Sequence, residues 1–355
     1  MKTGTDSIIQ EAPIKPAVER FIFVLLALLV IVMFFLDILL GSVSIRPSEI
    51  LHAFFSRVDS DVGTIVMKFR IPKALTALMV GIALSLSGLQ MQTLFRNPMA
   101  GPYVLGISAG ASLGVAFVIL GFSATFTPET IKSLGNWALV VASWIGAGAV
   151  MILMLFISIK VKDILIVLIL GIMLSSGISA IVSIMQYFSS ETMLKAYVIW
   201  TMGSLGNLTA SQLQILFISI SAGIIMSLLS SKMLNALLLG ENYASSIGLN
   251  ITFARIIIFT GTSILTGSVT AFCGPIGFIG IAVPHIARII FRTSDHRILI
   301  PATILTGALI MLASDIISQL PGSDKVLPVN SVTALIGIPV VIWVIMRARK
   351  YSGAL

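Results

Sequence analysis

The sequence is short of nearly everything that soluble proteins display to water. Only 10% of its 355 residues are charged, against about 25% in an average soluble domain, while 57% are hydrophobic. Such a chain cannot cover a water-facing surface, which excludes a soluble globular domain and leaves an integral membrane protein. Cysteine occurs once, at Cys273, so an intrachain disulfide and a cysteine-based metal cluster are both excluded. Histidine occurs three times. His285, which follows Pro284, has no second histidine at i+3 or i+4 and no acid beside it, so the convergent ligands of a metal centre are missing. No cofactor is expected. The net charge of +8 comes from 22 Lys and Arg against 14 Asp and Glu, but the basic residues are scattered singly between apolar runs. That pattern reports membrane topology rather than a nucleic-acid surface.

What the chain has in abundance is long apolar runs. A helix rising about 1.5 Å per residue crosses a hydrocarbon core of about 30 Å in about 20 residues. Ten runs approach that length: Phe21 to Leu40, Ile71 to Thr93, Tyr103 to Phe122, Trp137 to Ile159, Ile164 to Tyr187, Gln212 to Ser231, Ile251 to Phe272, Ile276 to Phe291, Leu299 to Ser318 and Val332 to Met346. The expected fold is therefore all-α, with about ten transmembrane helices in residues 21–349, a cytoplasmic tail over 1–20 and another over 350–355. With the N-terminus in the cytoplasm, 14 of the 22 basic residues fall on inside segments, which places both termini there. Arg46, Arg57, Lys68, Arg70 and Lys73 crowd around the first outside loop and need a separate reason.

Two connections are more than linkers. Residues 187–211, with Trp200 and the sequence MGSLGN, are too polar to span and read as a short interfacial or re-entrant helix. Residues 232–250, KMLNALLLGENYASSIGLN, read as two short helices joined at Gly240 and lying at the cytoplasmic surface. Between two spans, Arg96-Asn97-Pro98-Met99-Ala100-Gly101-Pro102 cannot continue a helix. It is either a turn or irregular backbone lining a water-filled path. A faint internal echo links GPYVLG at 101–106 with GPIGFIG at 274–280, as in carriers built from repeated halves.

The stretch Gly106-Ile107-Ser108-Ala109-Gly110 fits the nucleophile-elbow pattern of serine hydrolases. The same glycines, with Gly114, recur every four residues, the spacing that lets membrane helices approach closely. A hydrolase needs a strand, a sharp turn and a helix around its serine, and none is visible, so close packing through Gly106, Gly110 and Gly114 is the better reading. Ion-driven carriers keep a buried carboxylate near the midplane. Asp37 and Asp315 sit near span ends instead, so the driving energy is expected from outside this polypeptide.

Taken together, RIPKALTALMVGIALSLSGLQMQTLFRNPMAGPYVLGISAGASLG (70–114), WTMGSLGN (200–207), LLLGENYASSIGLN (237–250), GPIGFIGIAVPHIARII (274–290) and LPVNSVTALIGIPVVIWVI (327–345) closely resemble the FecCD family. These are permease subunits of binding-protein-dependent ABC importers for iron chelates, haem and cobalamin. The resemblance implies a type II ABC importer permease-like bundle in the bacterial inner (plasma) membrane. It implies a second permease subunit as a homo- or heterodimer, two ATP-binding ATPase subunits, an extracytoplasmic solute-binding protein, and an iron-chelate substrate carried inward. Such a chain is a transporter subunit and no enzyme. It implies roles for residues as well: a cytoplasmic gate at Asn97, Pro98 and Met99, and ATPase coupling within about 235–249 through Gly240, Glu241, Tyr243, Ala244, Ser245 and Gly248. Docking of the binding protein would fall to Arg70, Lys73 and Lys325. An iron(III)-siderophore complex is the expected cargo, with haem or cobalamin as the alternative.

Overall fold

In hydrocarbon a backbone N–H or C=O has no water to bond, so an apolar run crosses only as a helix that satisfies its own amides. The computed structural model describes residues 14–41, 45–49, 61–121, 128–161, 163–206, 208–320 and 326–352, and within these the regular structure is helical throughout. The helices are α1 (Pro16–Leu39), α2 (Asp61–Leu94), α3 (Ile107–Gly121), α4 (Pro128–Lys160), α5 (Ile164–Tyr187), α6 (Glu191–Thr201), α7 (Ala210–Leu229), α8 (Ser231–Leu238), α9 (Glu241–Ser246), α10 (Ile251–Cys273), α11 (Ile279–Phe291), α12 (His296–Ser318) and α13 (Val329–Ser352). Seven of the described helices are long and apolar enough to cross a membrane: α1, α2, α4, α5, α7, α10 and α12. Three shorter apolar helices, α3, α11 and the apolar part of α13, bring the set to the expected ten.

Polar residues at the helix starts explain several boundaries. Asp163 accepts from the Leu165 N–H at 2.8 Å, Asn250 from the Phe253 N–H at 3.0 Å and Asp295 from the Arg297 N–H at 2.9 Å, each satisfying a donor that a first turn leaves orphaned. At α7 the cap is reciprocal: Thr209 Oγ1 accepts from the Gln212 N–H and Gln212 Oε1 accepts from the Thr209 N–H, a capping box. The connecting segments also fold as expected, with α6 inside 187–211 and α8 and α9 split at Gly240.

The chain forms two compact units, Met1–Leu89 with Gly277–Leu355, and Gln90–Ile276. In the first, α12 packs on α1, α11 and α13. Helices α2 and α12 meet backbone to backbone, since a Cβ on Gly81 would lie 2.3 Å from the Gly307 carbonyl oxygen. In the second, α3 lies along α4, and α10 packs on α4 and α7. A Cβ on Gly110 would stand 2.5 Å from the Gly146 carbonyl oxygen, and one on Gly114 2.0 Å from that of Ala142. These two glycines let α3 and α4 approach closely. At Gly106 a φ of +78° turns the chain into α3, and a Cβ there would also stand 3.0 Å from Ser175 Oγ. Ser108 is buried in the first turn of that helix.

Candidate functional site

The segment between α7 and α10 gathers most of the features that could do work. Gly240, at φ +102°, turns the chain from α8 into α9. Behind the turn, Arg255 of α10 meets Glu241 as a fork, Nε to Oε1 at 2.9 Å and Nη2 to Oε2 at 2.7 Å. Arg255 Nη1 also donates to the carbonyls of Ser158 and Val161 at 3.0 and 2.9 Å. Those oxygens belong to the C-terminal end of α4, where carbonyls lack helical partners and favour a cation. One guanidinium thus ties α9, α10 and α4 together, with planar bidentate geometry that a lysine could not reproduce.

This assigns the six expected coupling residues to two groups. Tyr243 is 51% exposed, and Ser245 and Gly248 are exposed beside it. Gly240 and Ala244 are buried. Glu241 is half-buried, with its carboxylate turned to Arg255. The open face also shows Leu239 at 63% and Ile247 at 59% exposure, four residues to either side of Tyr243. That apolar 239–243–247 spacing was legible in the sequence; Arg255 was visible only as a lone basic residue in an apolar run.

The loop before α3 lies against the same segment. Asn97 Oδ1 accepts from the Met99 N–H at 2.9 Å, and the Asn97 N–H donates to the Gln92 carbonyl at 3.1 Å. This Asx-type turn leaves Pro98 and Met99 exposed. Arg96, at φ +48°, is close enough to Gly240 that a Cβ there would lie 3.2 Å from its Nη1. The gate residues named from the sequence are therefore one residue from direct contact with the coupling turn.

The two echoing segments meet as well. Gly274, at φ +77°, ends α10, and Phe278, at φ +66°, precedes α11. Between them the backbone is irregular, and Tyr103 from GPYVLG serves it twice: its hydroxyl donates to the Ile276 carbonyl and accepts from the Ile276 N–H at 3.1 Å. The Gly277 N–H donates to Asn330 Oδ1 at 3.0 Å. Irregular backbone survives among spans only where protein or water satisfies it, and here side chains do so. Asn330 had no local signature.

In the first unit, the basic residues expected to dock a partner are turned to internal use. Arg70 is 8% exposed and its Nη1 donates to the Ile38 and Leu39 carbonyls at 2.8 and 3.0 Å. Lys73 Nζ lies 3.0 Å from Asp315 Oδ1. Gln319 Nε2 joins the two carboxylates, at 2.8 Å from Asp37 Oδ1 and 3.1 Å from Asp315 Oδ2. Asp37 and Asp315 are both buried. Arg70 and Lys73, expected to dock a binding protein, thus have partners within this unit, and the Lys73 side chain stays 20% exposed. Lys325 lies outside the described residues. Among the described residues no group of three His, Cys, Asp or Glu could hold a metal ion.

The model of the FecCD transport family matches residues 28–347. The vitamin B12 import system permease protein BtuC of Klebsiella pneumoniae is 36% identical over 325 residues, 91% of this chain and 93% of its own length. Its counterpart in Escherichia coli O9:H4 is 35% identical over 286 residues, 80% of this chain and 84% of its own. Among solved structures, one assigned to the metal-chelate type of ABC transporter, in an inward-facing conformation, superposes with a TM-score of 0.79 at 28% identity, covering 92% of this chain and 99% of that one. A Streptococcus pneumoniae chain from a PsaBC complex with Fab superposes at 0.51 with 12% identity, a likeness of fold alone.

Proposed function

Since the chain belongs to the FecCD transport family as a multi-pass permease subunit of an ABC importer and no enzyme, we propose that it lines the route by which a bulky metal chelate is carried inward. An ABC importer permease works with a second permease subunit, ATPases and a binding protein. We place both termini in the cytoplasm and the protein in the bacterial inner membrane, on the distribution of basic residues.

The observation that supports the coupling role is the exposure of Leu239, Tyr243 and Ile247 around the Gly240 turn, with α9 tied from behind by the Glu241–Arg255 pair. A surface of this kind fits a groove on the ATPase. Closure of the ATPase dimer would push or pull the 239–249 segment; Arg255 would pass the displacement to α4 and α10, and Arg96 would pass it to the loop of Asn97, Pro98 and Met99. That is a two-state change with different contacts in each state, as alternating access requires.

For the cargo, the family motifs fit an iron(III)-siderophore complex, haem or cobalamin alike, and iron(III)-siderophore is the first reading. Cobalamin is the second reading, favoured by the named function of the B12 permeases at 34–36% identity. The discriminating experiment reconstitutes the complex with the binding protein encoded beside it and follows uptake of radiolabelled ferric siderophore and cobalamin in parallel. ATP-dependent accumulation of one alone decides the cargo. Accumulation by this chain without any ATPase overturns the proposal. Replacing Ile247 with Glu should abolish ATPase association while leaving membrane insertion intact; retained association removes the coupling face.

A further inference from the structure

Helix α6 does not lie flush on the rest of the second unit. Beneath it, facing α4, α7 and α10, is a cavity of about 230 Å³. Its walls include Val140, Ile199, Trp200 and Phe272, and no acidic, basic or histidine side chain lines it. Its polar lining residues are Gln212 and Ser204, beside the weakly polar thiol of Cys273. Gln212 is only 2% exposed, and its orientation is set by the capping box, in which Oε1 takes the Thr209 N–H at 2.9 Å. The amide nitrogen therefore points the other way, and it has no hydrogen-bond partner among the described residues. The Ser204 hydroxyl has none among them either; only the Ser204 backbone is held, by its N–H to the Cys273 carbonyl at 2.8 Å.

A donor on a side chain only 2% exposed, with nothing in the protein to donate to, is costly, and with the half-buried Ser204 hydroxyl at the same cavity it points to a ligand. We propose that this cavity is a binding site for a small uncharged molecule made of one ring and a carbonyl group. The missing charges exclude an ion, since a buried charge without a partner is strongly disfavoured. A carbonyl oxygen has two lone pairs and so accepts from both Gln212 and Ser204. The ring follows from the walls. Phe272 is fixed edge-on by Trp144, with centroids 5.4 Å apart, and by Trp137 at 6.4 Å, and aromatic faces held in place favour a further ring. The size is right for one ring, because an apolar cavity of about 150 Å³ already takes up benzene. The occupant would bridge α6 to α7 and α10.

This inference is independent of cargo and ATPase, and it is tested on the full chain in nanodiscs, with empty nanodiscs as the background. The probe is 4-fluoroacetophenone, compared with 1-ethyl-4-fluorobenzene, which has the same shape without the oxygen; binding of each is read from fluorine NMR line broadening. The ketone should bind about 3- to 10-fold more tightly than the ethyl compound, the ratio expected of a net hydrogen bond. Gln212→Glu keeps the oxygen that caps Thr209 and removes the amide donor, and it should bring the two probes to within a factor of about two. Ala196→Leu on exposed α6 fills the cavity and should weaken both at least tenfold, with Ala271→Leu as the second filling variant. Broadening no greater than in empty nanodiscs, equal affinity for the two probes in the parent chain, or unchanged affinity in both filled variants overturns the proposal.

Discussion

Replacing Glu241 with Ala tests whether the coupling segment is held from behind. The side chain of Arg255 is 6% exposed and that of Glu241 21%, so the pair lies between a fully buried one, whose disruption costs about 3–5 kcal/mol, and a surface pair worth about 0–1 kcal/mol. Two short bonds in fork geometry place the loss at about 2–3 kcal/mol. Arg255 keeps its bonds to the Ser158 and Val161 carbonyls, so α4 and α10 stay joined and the loss falls on α9. The N–H groups of Ala244, Ile247, Gly248 and Leu249 all donate within the 240–249 segment, and they report its opening in hydrogen exchange. At about 1.4 kcal/mol per tenfold, exchange of these amides should quicken about 30- to 150-fold. Arg255→Leu should loosen the same amides and, in addition, the last turn of α4. Glu241→Gln, which retains one acceptor oxygen, should fall between the parent and Glu241→Ala. In the assembled transporter, stimulation of uptake by ATP should decline in the same order. Unchanged exchange over 241–249 in both Glu241→Ala and Arg255→Leu would refute the clamp.

Three further outcomes follow from the geometry. Tyr103→Phe leaves the Ile276 N–H and carbonyl without their shared partner, and should cost about 1–3 kcal/mol, seen as a lower unfolding midpoint in detergent together with slower uptake; an unaltered midpoint would mean the two echoing segments do not depend on this hydroxyl. Gly248 sits at φ +92° with nothing within 4 Å of where a Cβ would stand, so Gly248→Ala should cost about 1–2 kcal/mol through backbone strain alone, with Gly248→Asn milder and exchange over 244–249 as the readout. Gly88→Ala would set a Cβ 1.7 Å from the Gly280 carbonyl oxygen, whereas Gly148 has open space around it; membrane yield of folded protein should collapse for the first and hold for Gly148→Ala.

The parts of this molecule that were legible in its sequence are those fixed by local pattern. Apolar length alone placed the ten membrane segments, and for α5 the expected bounds, Ile164 and Tyr187, are those observed. Gly240 divided α8 from α9 because a glycine between two short amphipathic runs is the natural place for a positive φ. Local pattern failed where helices continue past the apolar run. Helix α4 starts at Pro128 rather than Trp137, and α13 runs from Val329 to Ser352 rather than from Val332 to Met346. Polarity there marks leaving the hydrocarbon, not leaving the helix. Side-chain roles were least legible, since a charged residue near a span end reads as exposed until its partner is known. Gln319 and Asp37 are 282 positions apart, and no local pattern reveals that they share a hydrogen bond.

That misreading bears on what drives transport. The sequence offered no buried carboxylate as a coupling site, yet Asp37 and Asp315 are both buried. A carboxylate that couples transport to an ion must gain and lose that ion as the protein changes state, so it needs a site whose charge is unmatched in one of them. Asp315 instead accepts from Lys73, Gln319 and Ser318, and Asp37 accepts from the same Gln319 amide while Arg70 is fixed on the carbonyls that follow Asp37. Two acids stand among two bases, and one amide holds the acids together. The cluster joins α1, α2 and α12, and removing Lys73 in particular would leave the buried Asp315 carboxylate without its ion pair. Leu239, Tyr243 and Ile247, by contrast, are exposed, and under the proposed coupling role that is where force from a partner would enter.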